Sequence, residues 1–276
     1  MEASTIVITG ASSGLGYYAA QFFLKRGSTV VVCSDNRANL TAAYENLKTF
    51  ARHTGAIEAH AVDVSSYQQV KRFIDEICQK HEKIDALINN AGIGGPLGDS
   101  ETNDPKEWSR CIEVNLIGVM HTCNCLIPRL KSQKAGKIIN ISGGGATSPL
   151  PGLSAYAASK AAVVRYTETL SLELKPFNID VNAVAPGALP TNLTAKFLEA
   201  GPDKIGDELF AKLNSIEASE ADFETAARCI SYLASDVSNG VTGKLIAAKW
   251  DDWASLHENL EKVNGSDIYT LRRLIS

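Results

Sequence analysis

Thr5-Ile6-Val7-Ile8-Thr9-Gly10-Ala11-Ser12-Ser13-Gly14-Leu15-Gly16 is the stretch whose reading decides the fold. Its β-branched first half reads as a short strand. The three glycines make a turn, after which Ala19, Ala20, Phe22 and Phe23 follow a helical pattern that ends near Gly27. Strand, glycine-rich turn and helix in succession form the context in which a turn holds a dinucleotide pyrophosphate. The first N–H groups and positive dipole end of the helix attract the anion, and glycines let the backbone approach it. The spacing is G-x-x-x-G-x-G, not the commoner G-x-G-x-x-G. Taken alone, the turn also fits a connection whose glycines serve packing.

Working outward, the alternation continues. Thr29–Cys33 reads as strand, 38–52 as helix and Ile57–Val62 as strand. Residues 66–81 form a helix with Val70, Phe73, Ile74 and Ile77 on one side, and Ile84–Ile88 is the fourth strand. A Gly/Pro-rich loop (Gly92–Pro96) leads to a long helix over roughly 105–130, then to a strand at Lys137–Ile141. A helix through Tyr156 to Leu174, a strand at Ile179–Val184, a helix over 220–235 and a strand near 243–247 complete the unit. This pattern predicts an α/β fold, a single-domain doubly wound parallel β-sheet with helices on both faces and right-handed crossovers. With no internal repeat or linker, residues 1–248 read as one domain and 249–276 as a C-terminal extension.

Ligands on such sheets bind at the carboxyl ends of the strands. Thr9/Gly10, Asp35, Asp63 and Asn89–Gly92 all fall there. Ser34-Asp35-Asn36-Arg37 stands where a ribose selector belongs. A carboxylate there accepts hydrogen bonds from the ribose hydroxyls and repels a 2′-phosphate, and a basic group does the reverse. Asp35 and Arg37 thus point opposite ways, unless Arg37 belongs to a solvated turn.

Tyr156-Ala157-Ala158-Ser159-Lys160 carries the chemistry. Tyrosine and lysine four apart share one face of a helix. A free phenol titrates near ~10 and is a poor base at neutral pH, whereas a neighbouring ammonium favours the phenolate. A drop of two to three pH units corresponds to roughly 3–4 kcal/mol, which a close cation in a desolvated site supplies. Y-x-x-x-K also arises by chance on amphipathic helices, so the pair gains weight from its surroundings.

The charge balance, 27 basic against 31 acidic residues for a net of −4, lacks any basic block and argues against nucleic acid. Hydrophobic residues at 45% and charged residues at 21% are ordinary for a soluble domain. Met1-Glu-Ala-Ser-Thr enters the first strand without a leader-like pattern, and no uninterrupted apolar run spans a bilayer, so a cytoplasmic protein without membrane partners is expected. The six cysteines lie mostly in apolar segments and read as reduced, buried thiols. His121, Cys123 and Cys125 are the one cluster that suggests a metal, but Cys123 points away from the other two on a helix, and no metal site is expected.

In combination, TGASSGLG at 9–16, DV at 63–64, NNAG at 89–92, VN at 114–115, IINIS at 138–142, YAASK at 156–160 and VNAVAPG at 181–187 resemble the short-chain dehydrogenase/reductase family, classical type. The motifs stand in that family's order and cover about residues 4–247. The resemblance implies a Rossmann fold and an NAD(P)-dependent oxidoreductase interconverting a secondary alcohol and a ketone. It implies a catalytic set of Asn115, Ser142, Tyr156 and Lys160. Tyr156 would pass the proton and also contact the cofactor, and Lys160 would lower its pKa and hold the nicotinamide ribose. Ser142 would donate to the substrate oxygen and Asn115 would engage a proton-relaying water. For the cofactor it implies Gly10, Ser12, Ser13, Gly14, Leu15 and Gly16 at the pyrophosphate and Asp35 at the ribose. Asp63 and Val64 would contact adenine, with Asn89, Ala91 and Gly92 flanking the adenosine. Pro186, Gly187, Leu189 and Thr191 would lie under the nicotinamide, with Thr191 reaching its carboxamide. NAD is expected from Asp35, with NADP the alternative.

Relatives of this kind carry a variable substrate loop, here 190–216, and assemble as homodimers or homotetramers through the long helices holding Asn115 and Tyr156. The substrate, a small-molecule carbonyl or alcohol, stays open among a sugar derivative, an acyl thioester and a steroid or terpenoid. The chain departs from the pattern at Lys249-Trp250-Asp251-Asp252-Trp253, which is followed by an amphipathic helix. Two tryptophans and two aspartates either close over a polyhydroxylated substrate or, the reading preferred here, pack on their own domain or a neighbouring subunit. Two rivals use the same scaffold differently: an epimerase or dehydratase without net oxidation, and a redox-silent cofactor-binding regulator.

Overall fold

A computed structural model describes residues 4–52, 56–216 and 220–273; the first and last three residues of the chain lie outside them. The elements run β1 (Thr5–Thr9), α1 (Gly14–Leu24), β2 (Thr29–Ser34), α2 (Arg37–Leu47), β3 (Ile57–Ala61), α3 (Tyr67–Lys80) and β4 (Ala86–Asn89). The second half follows with α4 (Pro105–Ile112), α5 (Gly118–Gln133), β5 (Gly136–Ile141), α6 (Ser154–Leu174) and β6 (Ile179–Ala185). Then come α7 (Asn192–Ala200), α8 (Pro202–Ile205), α9 (Asp207–Asn214), α10 (Glu220–Leu233), β7 (Leu245–Ala247) and α11 (Leu260–Asn264).

The strands form one parallel sheet in the order β3-β2-β1-β4-β5-β6-β7. Both faces are covered, which is why Ile6-Val7-Ile8 and Val30-Val31-Val32 are apolar without interruption. Side chains alternate across the sheet. Ile6 and Ile8 pack in the core shared with α1, α2 and α10, while Val7 between them joins the core of α3, α5 and α6. The chain order reverses between β1 and β4, and a crevice opens beyond their carboxyl ends.

Most strand and helix ends differ from the sequence reading by one or two residues, because fraying caps carry no periodic signal, while α2 ends at Leu47 and passes into a 3-10 turn at Lys48–Phe50. Larger differences lie elsewhere. The predicted helix over 105–130 runs on to Gln133 but is interrupted by a π-helical turn at Glu113–Ile117. By length and composition Pro105–Gln133 could cross a membrane, but half of its most apolar stretch is buried in the protein, where α5 packs on α3. The weakly patterned 190–216 segment folds into three short helices with a small apolar core of their own around Leu153, Phe197, Ile205 and Leu213.

The extension beyond β7 packs on the domain, and its expected amphipathic helix is mostly a 3-10 turn, Trp253–Asn259. Buried Lys244 donates to the carbonyls of Ser266 and Ile268, both at 3.1 Å. Glu168 of α6 accepts from the Leu271 amide at 2.9 Å and from Arg272 at 3.0 Å. Three of the four tryptophan and aspartate side chains in 249–253 are held locally, in keeping with the reading in which the segment packs on its own domain. Asp251 accepts from the Ala247 amide, Asp252 from Ser255, and the Trp253 indole donates to the Ala248 carbonyl. Only Trp250, 64% exposed, reaches the crevice.

Candidate active site

The glycine-rich turn is a cradle shaped by close backbone approach. Gly10 has φ +66°, and a Cβ there would stand 2.6 Å from the Ala91 Cα. Thr9 and Asn90, to which the motifs alone assign no role, lock the turn to the β4 loop. The Thr9 hydroxyl accepts from the amides of Asn90 at 3.0 Å and Ala91 at 3.1 Å, and the Asn90 amide donates back to the carbonyls of Thr9 and Gly10. At the start of α1, Ser13 makes no side-chain cap and the first turn holds no acidic residue. Its first-turn N–H groups are therefore left to an anion, and Ser12, Ser13, Gly14 and Leu15 line the crevice beside them. Gly10, whose added Cβ would overlap the Ala91 backbone just after β4, cannot be enlarged. Gly10→Ala is expected to lower unfolding free energy by about 2–4 kcal/mol, left-handed strain and backbone overlap adding together. Urea denaturation measures it, and an unchanged midpoint would contradict this geometry.

At the adenosine end, Ser34 closes β2 and its hydroxyl lies 2.9 Å from that of Ser12. Asp35 is exposed and lines the crevice, whereas Arg37 does not. Asp63, expected at adenine, is already engaged: Ser65 donates to it through its amide at 2.9 Å and its hydroxyl at 2.7 Å, and Arg110 at 2.8 Å. Burial alone would raise that carboxyl, but the Ser65 and Arg110 hydrogen bonds hold it below its ordinary value. Arg110 was absent from the sequence reading, since an isolated helix arginine has no signal without its partner. Val64 packs against Gly118, where a Cβ would stand 2.7 Å from it. Asn89 is buried below the crevice, donating to Asn140 at 2.9 Å and accepting from Thr122 at 2.6 Å.

The four expected catalytic residues converge. Tyr156 and Lys160 sit one turn apart on α6, the Lys160 Nζ 5.7 Å from the phenol ring centre. A Cβ on Gly143 would lie 2.8 Å from the Tyr156 hydroxyl, so that hydroxyl stands beside the end of β5. Ser142 is next to it, buried, its hydroxyl donating to the Lys160 carbonyl at 3.3 Å. It must swing off that carbonyl to serve a substrate. Lys160 donates to the Ile141 carbonyl at 2.8 Å. Asn115 lies in the π-helical turn, and its side chain is hydrogen-bonded to protein partners. Its Oδ1 accepts from the Ile93 amide at 2.8 Å, and its Nδ2 donates to the Ile93 carbonyl, the Ser159 hydroxyl and the Cys111 sulfur. It pins the β4 loop onto α6 and acts as a positioning residue. Burial pushes the Tyr156 phenol up to about 12, with Cys111 adding to it, and pushes Lys160 down to about 8. The expectation of a phenol acidified by its lysine is therefore corrected: burial raises it instead.

The crevice holding these groups measures about 740 Å³. Helices α7–α9 close over it, and Phe197 meets the Tyr156 ring edge to face at 5.9 Å. Pro186, Gly187, Leu189 and Thr191 line the crevice. The Thr191 hydroxyl, expected at a carboxamide, accepts from the Thr194 amide and caps α7 instead, while its methyl faces Gly14. His121 is held by the Val64 carbonyl and Cys123 by Asn89, so the tempting cluster is divided among different partners.

Comparison with known proteins agrees with this geometry. A family model described as short chain dehydrogenase matches residues 4–201. The 3-oxoacyl-[acyl-carrier-protein] reductase FabG of Thermotoga maritima is 34% identical over 248 residues, covering 89% of this chain and 96% of that protein. The 3beta-hydroxysteroid dehydrogenase 1 of Eggerthella lenta is 35% identical over 244 residues, with 88% and 91% covered. Among solved structures, the 3-ketoacyl-(acyl-carrier-protein) reductase of Brucella melitensis, complexed with NADH, superposes with a TM-score of 0.74 at 29% identity, covering 88% of this chain and 96% of that one.

Proposed function

The chain belongs to the short-chain dehydrogenase family, and from that premise we propose that it exchanges hydride between a nicotinamide cofactor and a secondary alcohol or ketone, with Tyr156 passing the proton. The observation that carries this reading is convergence: the Tyr156 hydroxyl, Lys160 ammonium and Ser142 hydroxyl share one crevice with the Gly10–Gly14 cradle. The cradle suits a pyrophosphate, and the NADH-bound relative supports a nicotinamide cofactor. The cofactor, when bound, supplies or accepts the hydride.

The chain's own residues handle the proton and the charge. In the reductive direction the half-buried phenol, protonated at neutral pH, gives its proton to the carbonyl oxygen as the carbonyl carbon takes the hydride. Lys160, fixed by the Ile141 carbonyl, provides positive charge beside the phenolate that results. Ser142, freed from the Lys160 carbonyl, donates to the same substrate oxygen. Asn115 holds the floor of the site by tying Ile93 to Ser159. A turnover screen following nicotinamide absorbance with NADH and NADPH over a carbonyl panel, with Lys160→Met as control, tests the reading. Tight cofactor binding without turnover of any carbonyl would refute it.

We assign the preference to NAD, because Asp35 and not Arg37 lines the crevice at the ribose end. A carboxylate about 5 Å from a 2′-phosphate costs about 1–2 kcal/mol in a solvated site, or roughly tenfold in affinity. NADH is therefore expected to exceed NADPH at least about tenfold in kcat/KM, and Asp35→Ser to erase most of that margin. A wild-type preference for NADPH would place Arg37 on the ribose instead. Assembly as a homodimer or homotetramer through α5 and α6 belongs to the same proposal and is read by sedimentation velocity.

A further inference from the structure

The lid over Tyr156 segregates its charges. Residues 190–216 contain three lysines and four acidic residues, Glu199, Asp203, Asp207 and Glu208. None of the four acids lines the crevice, whereas Lys196 and Lys212 do. The sequence reason is a repeated pattern, Leu193-x-x-Lys196-Phe197 on α7 and Leu209-x-x-Lys212-Leu213 on α9. Positions i, i+3 and i+4 share a helix face, so each helix sets one lysine beside two apolar side chains at the crevice; both lysines are exposed, which leaves their heads solvated. All four of those apolar residues line the crevice too, with Leu150 and Leu153 across from them. Among the described residues, neither Lys196 nor Lys212 has a carboxylate within ion-pair distance. The acidic lining residues, Asp35 and Asp63, stand at the opposite, adenosine end, Asp63 paired with Arg110. The substrate half is thus an apolar chamber whose charged lining is entirely lysine.

We infer that the substrate is an amphipathic anion, an apolar skeleton bearing the carbonyl or alcohol and ending in a carboxylate or phosphate that Lys196 and Lys212 hold. This rests on the hydride-transfer reading for the identity of the pocket, but its test uses binding rather than turnover. Octanoate, octyl phosphate and octan-1-ol are titrated into the full-length enzyme saturated with NADH, following the cofactor's fluorescence. At least one anion is expected to bind about tenfold tighter than the alcohol, with the margin shrinking as salt is added. Whichever anion binds tighter identifies the head group. In Lys196→Gln/Lys212→Gln the margin is expected to fall below about threefold, while NADH affinity stays within about twofold of wild type.

Three results would overturn the inference. Equal binding of anions and alcohol removes the charge recognition. A margin that survives in the double variant moves it to another cation, such as Lys160. A large loss of NADH affinity in the double variant assigns the lysines to the cofactor's phosphates. If the margin behaves as expected but no carbonyl of this class, 7-oxooctanoic acid included, is turned over, the hydride-transfer reading fails and the ligand class stands.

Discussion

Tyr156→Phe is expected to lower kcat by about 10²–10⁴-fold while leaving NADH affinity within about twofold of wild type. The change removes one oxygen and keeps the ring. The contacts that position that ring, edge to face with Phe197 at 5.9 Å and within the apolar core of the lid, survive the substitution. The fold and the cradle around Gly10 and Gly14 lie elsewhere, so cofactor binding has no reason to follow the loss. What disappears is the proton beside the end of β5, where the substrate oxygen is expected. The Ser142 hydroxyl, a far weaker acid than a phenol, does not replace it, and burial raises the Cys111 thiol above its ordinary value. Steady-state turnover and cofactor fluorescence titration, run on the same preparation, separate the two effects. Retention of more than about a tenth of wild-type kcat would mean that the proton comes from another group, and the assignment of Tyr156 would fall.

The architecture was legible because it rests on periodicity and punctuation. Uninterrupted apolar triplets such as Val30-Val31-Val32 mark strands covered on both faces, and the alternation of strands with helices fixes parallel pairing. The convergence of Asn115, Ser142, Tyr156 and Lys160 was legible through motif order. What those side chains do was not, since a hydrogen bond is a relation between two positions distant in sequence. Asn115 reads as a mid-helix asparagine, and its partners Ile93, 22 residues away, and Ser159, 44 away, are invisible from its own position. The Asp63–Arg110 pair spans 47 residues, so neither member announces the other. The lid was faint because its helices are short and interrupted by Gly201-Pro202 and Gly206, and their packing depends on loops from elsewhere. The sign of the Tyr156 shift was misread for the same reason: the neighbouring charge is visible in the sequence, and the burial that opposes it is not.

That burial makes the site costly to the fold, and Lys160→Met is expected to stabilise the cofactor-free protein while destroying its activity. Lys160 is 5% exposed, its pKa lies near 8 against an ordinary 10.5, and desolvation is the cause. Below pH 8 the native and unfolded chains are both protonated there, and the native state bears the full cost of the buried ammonium. Between about 8 and 10.5 the native lysine gives up its proton while the unfolded one keeps it, so the unfolded state binds more protons and stability rises with pH. Tyr156 acts oppositely, but only above pH 10, where the unfolded phenol ionises and the native one, near 12, does not. The window in which Lys160 can be read is therefore about pH 8 to 10. The depression corresponds to about 3 kcal/mol, and methionine, similar in length but uncharged, recovers part of it after losing the hydrogen bond to the Ile141 carbonyl. A gain of about 1–3 kcal/mol at pH 7, a few degrees in Tm, is expected, together with a flatter stability profile between pH 8 and 10. Urea unfolding of both proteins across that range measures each quantity. A variant less stable than wild type at pH 7, with an unaltered slope above pH 8, would show that the ammonium is not desolvated in the resting enzyme, and the balance of charge inferred around Tyr156 would have to be redrawn.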